Sequence, residues 1–291
     1  MDVQDNPFRP GAGTSPPALE GRDELIDAFG VAARRALSGR PGKSLMPIGL
    51  RGVGKTVLLN RFAEIGEAEG MALAFIEAPE SGDLRTLLAA KLRSVLLRLD
   101  RTGPTRAVLT ALRVLKTFTL QLPDGSRLAI DVDPLVGQAD SGLLAEDITD
   151  LLVAVGHAAA AKDLGVLIAL DEVQYLSNEE LGALITAIHR TTQLDLPVLL
   201  VGAGLPQLPG LAGEAKSYSE RLFDFPEIGS LPMEDAADAL TNAVWDLGVQ
   251  FDDDALQEIV RESHGYPYFL QEWGYHVWNQ AASSPVTVDD V

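Results

Sequence analysis

Gly49-Leu50-Arg51-Gly52-Val53-Gly54-Lys55-Thr56 follows the pattern G-x-x-x-x-G-K-[ST]. Before it, Ser44 to Gly49 reads as a short buried strand. After it, Thr56 to Ala68 carries Val57, Leu58, Leu59, Phe62 and Ile65 at helical spacing. Strand, glycine loop and helix in that order make a cradle for phosphate. Glycines permit the tight loop, successive backbone N–H groups surround the oxygens, and the helix N-terminus adds partial positive charge. In such a cradle Gly49, Arg51, Gly52, Val53, Gly54 and Val57 lie along the phosphates. Lys55 reaches the β and γ phosphates, and Thr56 places its hydroxyl on Mg²⁺. An ordinary glycine-rich turn is the plainer reading, and the flanking strand and helix weigh against it.

Four further apolar runs read as strands: Ala72 to Glu77, Val166 to Leu170, Pro197 to Val201 and Leu222 to Ile228. Helical patterns separate them, starting with Leu25 to Leu37, so the fold class is α/β with a mostly parallel sheet flanked by helices. The run at 166 ends in Asp171-Glu172. An Asp at the end of a buried strand can hold a water of the Mg²⁺ shell, and the adjacent Glu can orient and deprotonate an attacking water. Sheets of this class bind ligands at the carboxyl ends of their strands, which puts both motifs on one edge. The alternatives are that Asp171 caps the following turn and that Glu172 is simply solvated.

A stretch from 83 to 162 is longer than a minimal crossover needs and reads as an insertion. Its first half carries Arg85, Lys91, Arg93, Arg98, Arg101, Arg106, Arg113 and Lys116 against Asp83 and Asp100. That density suits contacts to nucleic-acid phosphates, and equally suits the solvated face of an amphipathic helix. Thr117 to Leu122 and Arg127 to Val132 flank Pro123-Asp124-Gly125-Ser126, which predicts a β-hairpin. A helix from about Leu143 to Ala160 leads back to the sheet.

From Pro226 onward there are thirteen acidic residues and one basic one, Arg261. Helical patterns over Pro232 to Leu247, Asp253 to Ser263 and Tyr266 to Ala282 predict a small all-helical second domain. The tail Pro285 to Val291 reads as the start of another helix with Thr287 as a cap. Residues 1–20, rich in Pro, Gly and small polar groups, predict an extended arm.

Composition sets the outer limits. The 291 residues carry a formal charge of -19, which argues against a chain-wide electrostatic grip on nucleic acid or anionic lipid. The absence of cysteine excludes disulfides, thiolate metal sites and a cysteine nucleophile. The N-terminus has neither the basic start nor the apolar run of a signal peptide, and no apolar stretch approaches the about 20 residues that span a bilayer. The expectation is a cytoplasmic protein without membrane contact.

On these motifs the sequence resembles P-loop ATPases of the AAA+ and STAND group, nearest to bacterial and archaeal ATPases related to replication-initiator ATPases. The resemblance covers essentially the whole chain. It implies an ATPase αβ core over 21–229, with a basic helical and hairpin insertion at about 83–140, and a helical lid over 230–291. Pro17-Ala18-Leu19-Glu20-Gly21-Arg22-Asp23-Glu24 resembles the family's N-terminal box, which lines the adenine and makes Ala18, Leu19, Gly21 and Arg22 candidate contacts; a plain helix start is the alternative. Arg221, before the fifth strand, matches the arginine finger offered to a neighbouring subunit, or else forms a surface ion pair. Gly265-Tyr266-Pro267 resembles the Gly-x-Pro start of the lid helix, with Pro267 at the nucleotide or acting only as a first-turn proline. The family's fourth strand ends in a polar sensor, whereas this one ends Gly202-Ala203-Gly204, which implies slow turnover.

Together these features imply binding of ATP or ADP with Mg²⁺ and slow hydrolysis to ADP and phosphate by Lys55, Glu172 and Arg221, coupled to a switch between core and lid. The competing reading is a non-hydrolysing, nucleotide-gated scaffold. Partners implied are a second copy of the chain and a DNA or protein bound through the basic insertion or through a winged-helix domain that family members carry after the lid.

Overall fold

The computed structural model describes residues 1–291 apart from 12, 41, 81–82, 102, 104 and 123–129. The chain forms two compact units. An αβ unit comprises Asp27–Ile48 and Leu59–Pro226, and a helical unit comprises Met1–Ile26, Gly49–Leu58 and Glu227–Val291.

In the αβ unit β1 (Ser44–Leu45) pairs in parallel with β5 (Phe223–Asp224). β2 (Met71–Glu77), β3 (Gly165–Asp171) and β4 (Val198–Gly202) form a second parallel set in that spatial order. A parallel bridge between Ile48 and Gly204 joins the two sets, so the order across is β2-β3-β4-β1-β5. Every residue of β3 is buried, as the unbroken apolar run from Val166 to Leu170 requires of a strand covered on both faces. The runs at 44 and 222 yield shorter strands than their patterns predict because Pro47 and Pro226 lack the N–H a ladder needs. Pairing persists around the prolines through Met46 N to Asp224 O at 2.8 Å and Ile48 N to Pro226 O at 2.9 Å.

α1 (Asp23–Leu37) and α2 (Lys55–Ala68) precede β2, and their Phe29 and Phe62 rings stack 4.6 Å apart. The long connection to β3 is helical: α3 (Leu84–Asp100), α4 (Arg106–Thr119) and α5 (Leu144–Ala160). Asp83 caps α3 by accepting from the Arg85 and Thr86 N–H groups, and Thr105 caps α4. Leu84, Leu88, Leu92, Leu96 and Leu99 enter the core.

Two expectations for this insertion change. Thr117, Phe118 and Thr119 are the last turn of α4, not the first strand of a hairpin. The apolar face of Val108, Leu112, Leu115 and Phe118 continues at helical spacing to that point and is buried. The hairpin's turn, 123–126, lies outside the described residues. The basic residues are also partly spent on the fold. Arg85 is buried against Asp147 at 3.1 Å, Arg98 pairs with Glu67 at 2.7 Å, and the Arg113 Nε donates to the Asp133 carbonyl at 3.2 Å.

α6 (Asn178–Gln193) opens with a capping box between Ser177 and Glu180. α7 (Leu208–Ala215) follows β4.

The helical unit holds α8 (Met233–Val244), α9 (Asp253–Ser263) and α10 (Pro267–Gln280), packed through Ala236, Leu240, Ile259, Leu270 and Trp278. The tail closes it: Asp252 N bonds Val286 O at 2.9 Å, and a 3-10 turn at Val288–Asp290 follows Thr287, whose N–H and hydroxyl both donate to Asp290.

The N-terminal residues join this unit. Phe8 is 2% exposed, Asn6 Nδ2 donates to the Tyr275 carbonyl at 3.0 Å, and the Trp278 indole N–H donates to Asp2 O at 2.8 Å. A Cβ on Gly274 would stand 2.5 Å from the Phe8 ring. Gly274→Val is therefore expected to expel Phe8 and lower the stability of this unit by about 1–3 kcal/mol, the range for overpacking. Urea denaturation checks this, and an unchanged midpoint would show that Phe8 is not anchored there. Among the described residues no helix is long and apolar enough to cross a membrane.

Candidate nucleotide site

The loop Gly49–Lys55 belongs to the helical unit. Gly52 and Gly54 have φ of +83° and +90°, which other residues adopt only under strain. Gly49 is needed for another reason, since a Cβ there would stand 2.3 Å from the Ile228 carbonyl oxygen. At Gly54 an added Cβ would meet nothing within 4 Å, so the N-terminus of α2 opens onto room for a phosphate group. Lys55 is 6% exposed, and its ammonium donates to the loop's own carbonyls, Gly49 O at 3.0 Å and Leu50 O at 2.8 Å. Thr56 and Val57, half-buried, complete the first turn of α2. Val53 is buried beneath the loop.

The Gly265 turn packs onto this loop. Gly265 has φ of +66°, and a Cβ on it would stand 2.4 Å from Leu231 O. Pro267 occupies the first turn of α10. The Tyr268 N–H donates to Gly52 O at 3.1 Å, and the Tyr266 hydroxyl donates to Arg51 O. Tyr268 donates its own hydroxyl to Glu272 at 2.6 Å, a bond that holds the phenol above its usual pKa. The tyrosines on either side of Pro267 are thus bonded to Arg51 and Gly52.

Leu19, Gly21 and Arg22 lie in the same unit. The Arg22 guanidinium donates to Gly229 O at 2.7 Å and to Gly21 O at 3.1 Å. Burial pushes its pKa down, with Asp235 acting in the opposite direction. Its donors fix the 18–22 segment to the start of the lid. Ala18 and Leu19 are half-buried.

In the αβ unit Asp171 pairs with Glu77 at the end of β3 and is 3% exposed. Its carboxylate accepts the Glu172 N–H at 2.9 Å, and the turn that follows at Val173–Tyr175 has no side-chain cap. Glu172 sits at φ +54°, ψ +40°, a left-handed conformation that costs a non-glycine residue about 1–3 kcal/mol and persists where surroundings impose it. It is half-buried. Rather than standing free in solvent, its carboxylate accepts from the Gln174 side-chain amide. Arg221 ends a 3-10 turn at Ser219–Arg221 just before β5 and is exposed.

Sequence reading did not single out Gln174. Gln174 Oε1 accepts the Leu205 N–H at 3.0 Å, beyond the end of β4. The expected absence of a polar side chain at Gly202-Ala203-Gly204 stands, but an amide reaches that strand end from the neighbouring turn.

Mg²⁺ is a hard cation that prefers oxygen, and each unit offers a donor of that kind, the threonine hydroxyl at 56 in the helical unit and the carboxylate at 171 in the αβ unit. Among the described residues no group of three His, Asp or Glu is placed to hold a metal by itself. An ion at either donor would lean on nucleotide oxygens and water, as in phosphoryl-transfer sites.

The family model of the AAA ATPase domain matches residues 18–201. No curated protein matches the sequence. Among solved structures, the Thermotoga maritima RuvB Holliday junction branch migration motor is similar at 15% identity, covering 95% of this chain and 70% of that one with a TM-score of 0.54. Cdc6p from Pyrobaculum aerophilum matches at 14% identity, over 94% of this chain and 64% of that one, TM-score 0.56. The Aeropyrum pernix ORC2 protein in its ADP form matches at 17% identity, over 92% and 64%, TM-score 0.57. At such identities the likeness is one of fold: the parallel sheet flanked by helices, with a helical C-terminal region, expected from the sequence.

Proposed function

Because the chain belongs to the AAA ATPase domain family, we propose that it binds ATP and ADP with Mg²⁺ and slowly hydrolyses ATP to ADP and phosphate. The observation that carries this reading is the loop 49–56, whose one buried ammonium is held by loop carbonyls 2.8 and 3.0 Å away. A phosphate offers that ammonium a charged acceptor, and charge-assisted bonds are about twice as strong as neutral ones.

Lys55 moves to the β and γ oxygens, while backbone N–H groups of 51–57 receive the remaining charge. Thr56 and Asp171 would hold the Mg²⁺ shell. The ion, when bound, offsets the charge of the transferring phosphoryl group. Glu172 orients a water and takes its proton as the oxygen attacks the γ phosphorus and the bond to the β-phosphate oxygen breaks. Arg221, offered by a second copy, stabilises the charge that develops there. Leu19 and Arg22 border the base, and Pro267 leads the lid helix.

The proposed coupling runs through the hydrogen bonds from Tyr268 and Tyr266 to Gly52 and Arg51. A ligand that draws the loop inward pulls on the lid over 230–291 and shifts it relative to the core over 21–229. The output is binding of a DNA or protein partner in the cytoplasm, with the exposed part of the basic α3–α4 segment as one contact surface. A second reading, a nucleotide-gated scaffold without turnover, draws on the apolar end of β4 at Gly202-Ala203-Gly204.

Calorimetric titration of MgATP and MgADP into the wild type and Lys55→Ala tests the site. Loss of the ammonium should weaken ATP binding by about 100-fold, roughly 3 kcal/mol for charged hydrogen bonds. Equal affinity in the two proteins would overturn the assignment.

A further inference from the structure

We propose that Gln174, in the turn after β3, is the positioning residue for Glu172. This rests on the reading of Glu172 as the group that takes a proton from water. After β3 the chain makes a 3-10 turn at Val173–Tyr175, which carries the Gln174 side chain to two partners at once. Its Nε2 donates to the Glu172 carboxylate, and its Oε1 accepts the Leu205 N–H at 3.0 Å. One amide thereby joins the base to the chain leaving β4. The two strand ends are also pinned by backbone bonds, Val173 N to Ala203 O at 3.0 Å and Ala203 N to Leu170 O at 2.9 Å.

Glycine at 204 acquires a reason in this arrangement. A Cβ there would stand 2.9 Å from Gln174 Oε1 and 2.9 Å from a Leu208 methyl carbon, so any side chain at this place displaces the amide. Glycine at the strand end and glutamine in the turn form one device: the first makes room and the second supplies the polar group. The left-handed backbone at Glu172, φ +54°, belongs to it as well, since such a conformation must be held from outside. A carboxamide alone meets both demands. A carboxylate at 174 would repel Glu172 and lose the donor, and asparagine is one methylene shorter. With Gln174 bound to one carboxylate oxygen, the other remains to receive a proton from water. Movement of the segment 203–205 would pass through the amide to the orientation of Glu172.

The test compares wild type, Gln174→Met, Gly204→Ala and the double variant in steady-state ATP hydrolysis and in ATP binding. Gln174→Met keeps the length and removes both polar atoms, and Gly204→Ala disturbs the amide from the other side, so each stands in if the other fails to fold. The expected result is a fall in kcat of about 10- to 100-fold in either single variant, the cost of a misplaced catalytic group. KM and ATP affinity should stay within about twofold, and the double variant should fall no further than the worse single, because coupled sites are not additive. A hydrolysing wild type with unchanged kcat in Gln174→Met, or additive losses, would overturn the positioning role and leave the ATPase reading intact. A wild type that binds ATP through Lys55 and makes no ADP would overturn the reading of Glu172 and the proposal with it.

Discussion

Asp147→Ala is expected to cost the αβ unit about 3–5 kcal/mol, the loss typical when one partner of a buried ion pair is removed. Asp147 is fully buried in the first turn of α5. One oxygen accepts from Arg85 at 3.1 Å, and the other from the Ser141 N–H at 2.9 Å and hydroxyl at 2.8 Å. Arg85 is 8% exposed, and its guanidinium lies 5.2 Å from the centre of the Phe118 ring. Without the carboxylate, the cation is left in an apolar setting and the two Ser141 donors lose their acceptor. Replacing both charged residues, Arg85→Met with Asp147→Leu, should recover most of the loss, because apolar side chains of similar volume carry no desolvation cost. Urea denaturation followed by circular dichroism measures both. A loss below about 1 kcal/mol for Asp147→Ala would place this pair with the weak surface bridges.

Glu172→Gln is expected to retain ATP binding and to slow hydrolysis by about 100- to 10,000-fold, the contribution of a general base. The substitution keeps shape and length and removes the proton acceptor. Its amide can still meet Gln174, so the turn should survive and the melting temperature change little. In the proposed site binding comes from the loop 49–57, which Glu172 does not form. Rates measured under single turnover, with ATP affinity from the same samples, separate the two effects. Equal rates in wild type and variant would remove Glu172 from the chemistry.

The parts of this protein that were legible in sequence are those whose signal is local. Loop 49–56 declares itself because glycines, lysine and threonine must stand at fixed spacing between a strand and a helix. Asp171-Glu172 is visible because an apolar strand ends there in two charges. Lid helices α8–α10 show in their periodicity. Where the reading failed, distant residues decide. Thr117-Phe118-Thr119 alternates like a strand, yet Phe118 is buried under Arg85, which α3 supplies from thirty-three positions earlier. Residues 1–20 read as an extended arm, while the burial of Phe8 depends on Gly274. Gln174 carries no motif of its own, because its second partner, Leu205, is 31 residues away. The prolines at 47 and 226 are local signals for short flanking strands, because neither has the N–H a ladder needs.

The proposed hydrolysis of ATP is measured by incubating the purified protein at high concentration with MgATP and quantifying ADP and phosphate over hours, beside Glu172→Gln and a magnesium-free control. The expected result is equal amounts of ADP and phosphate accumulating slowly in the wild type alone. ATP bound and recovered unchanged would contradict it and leave a nucleotide-gated scaffold.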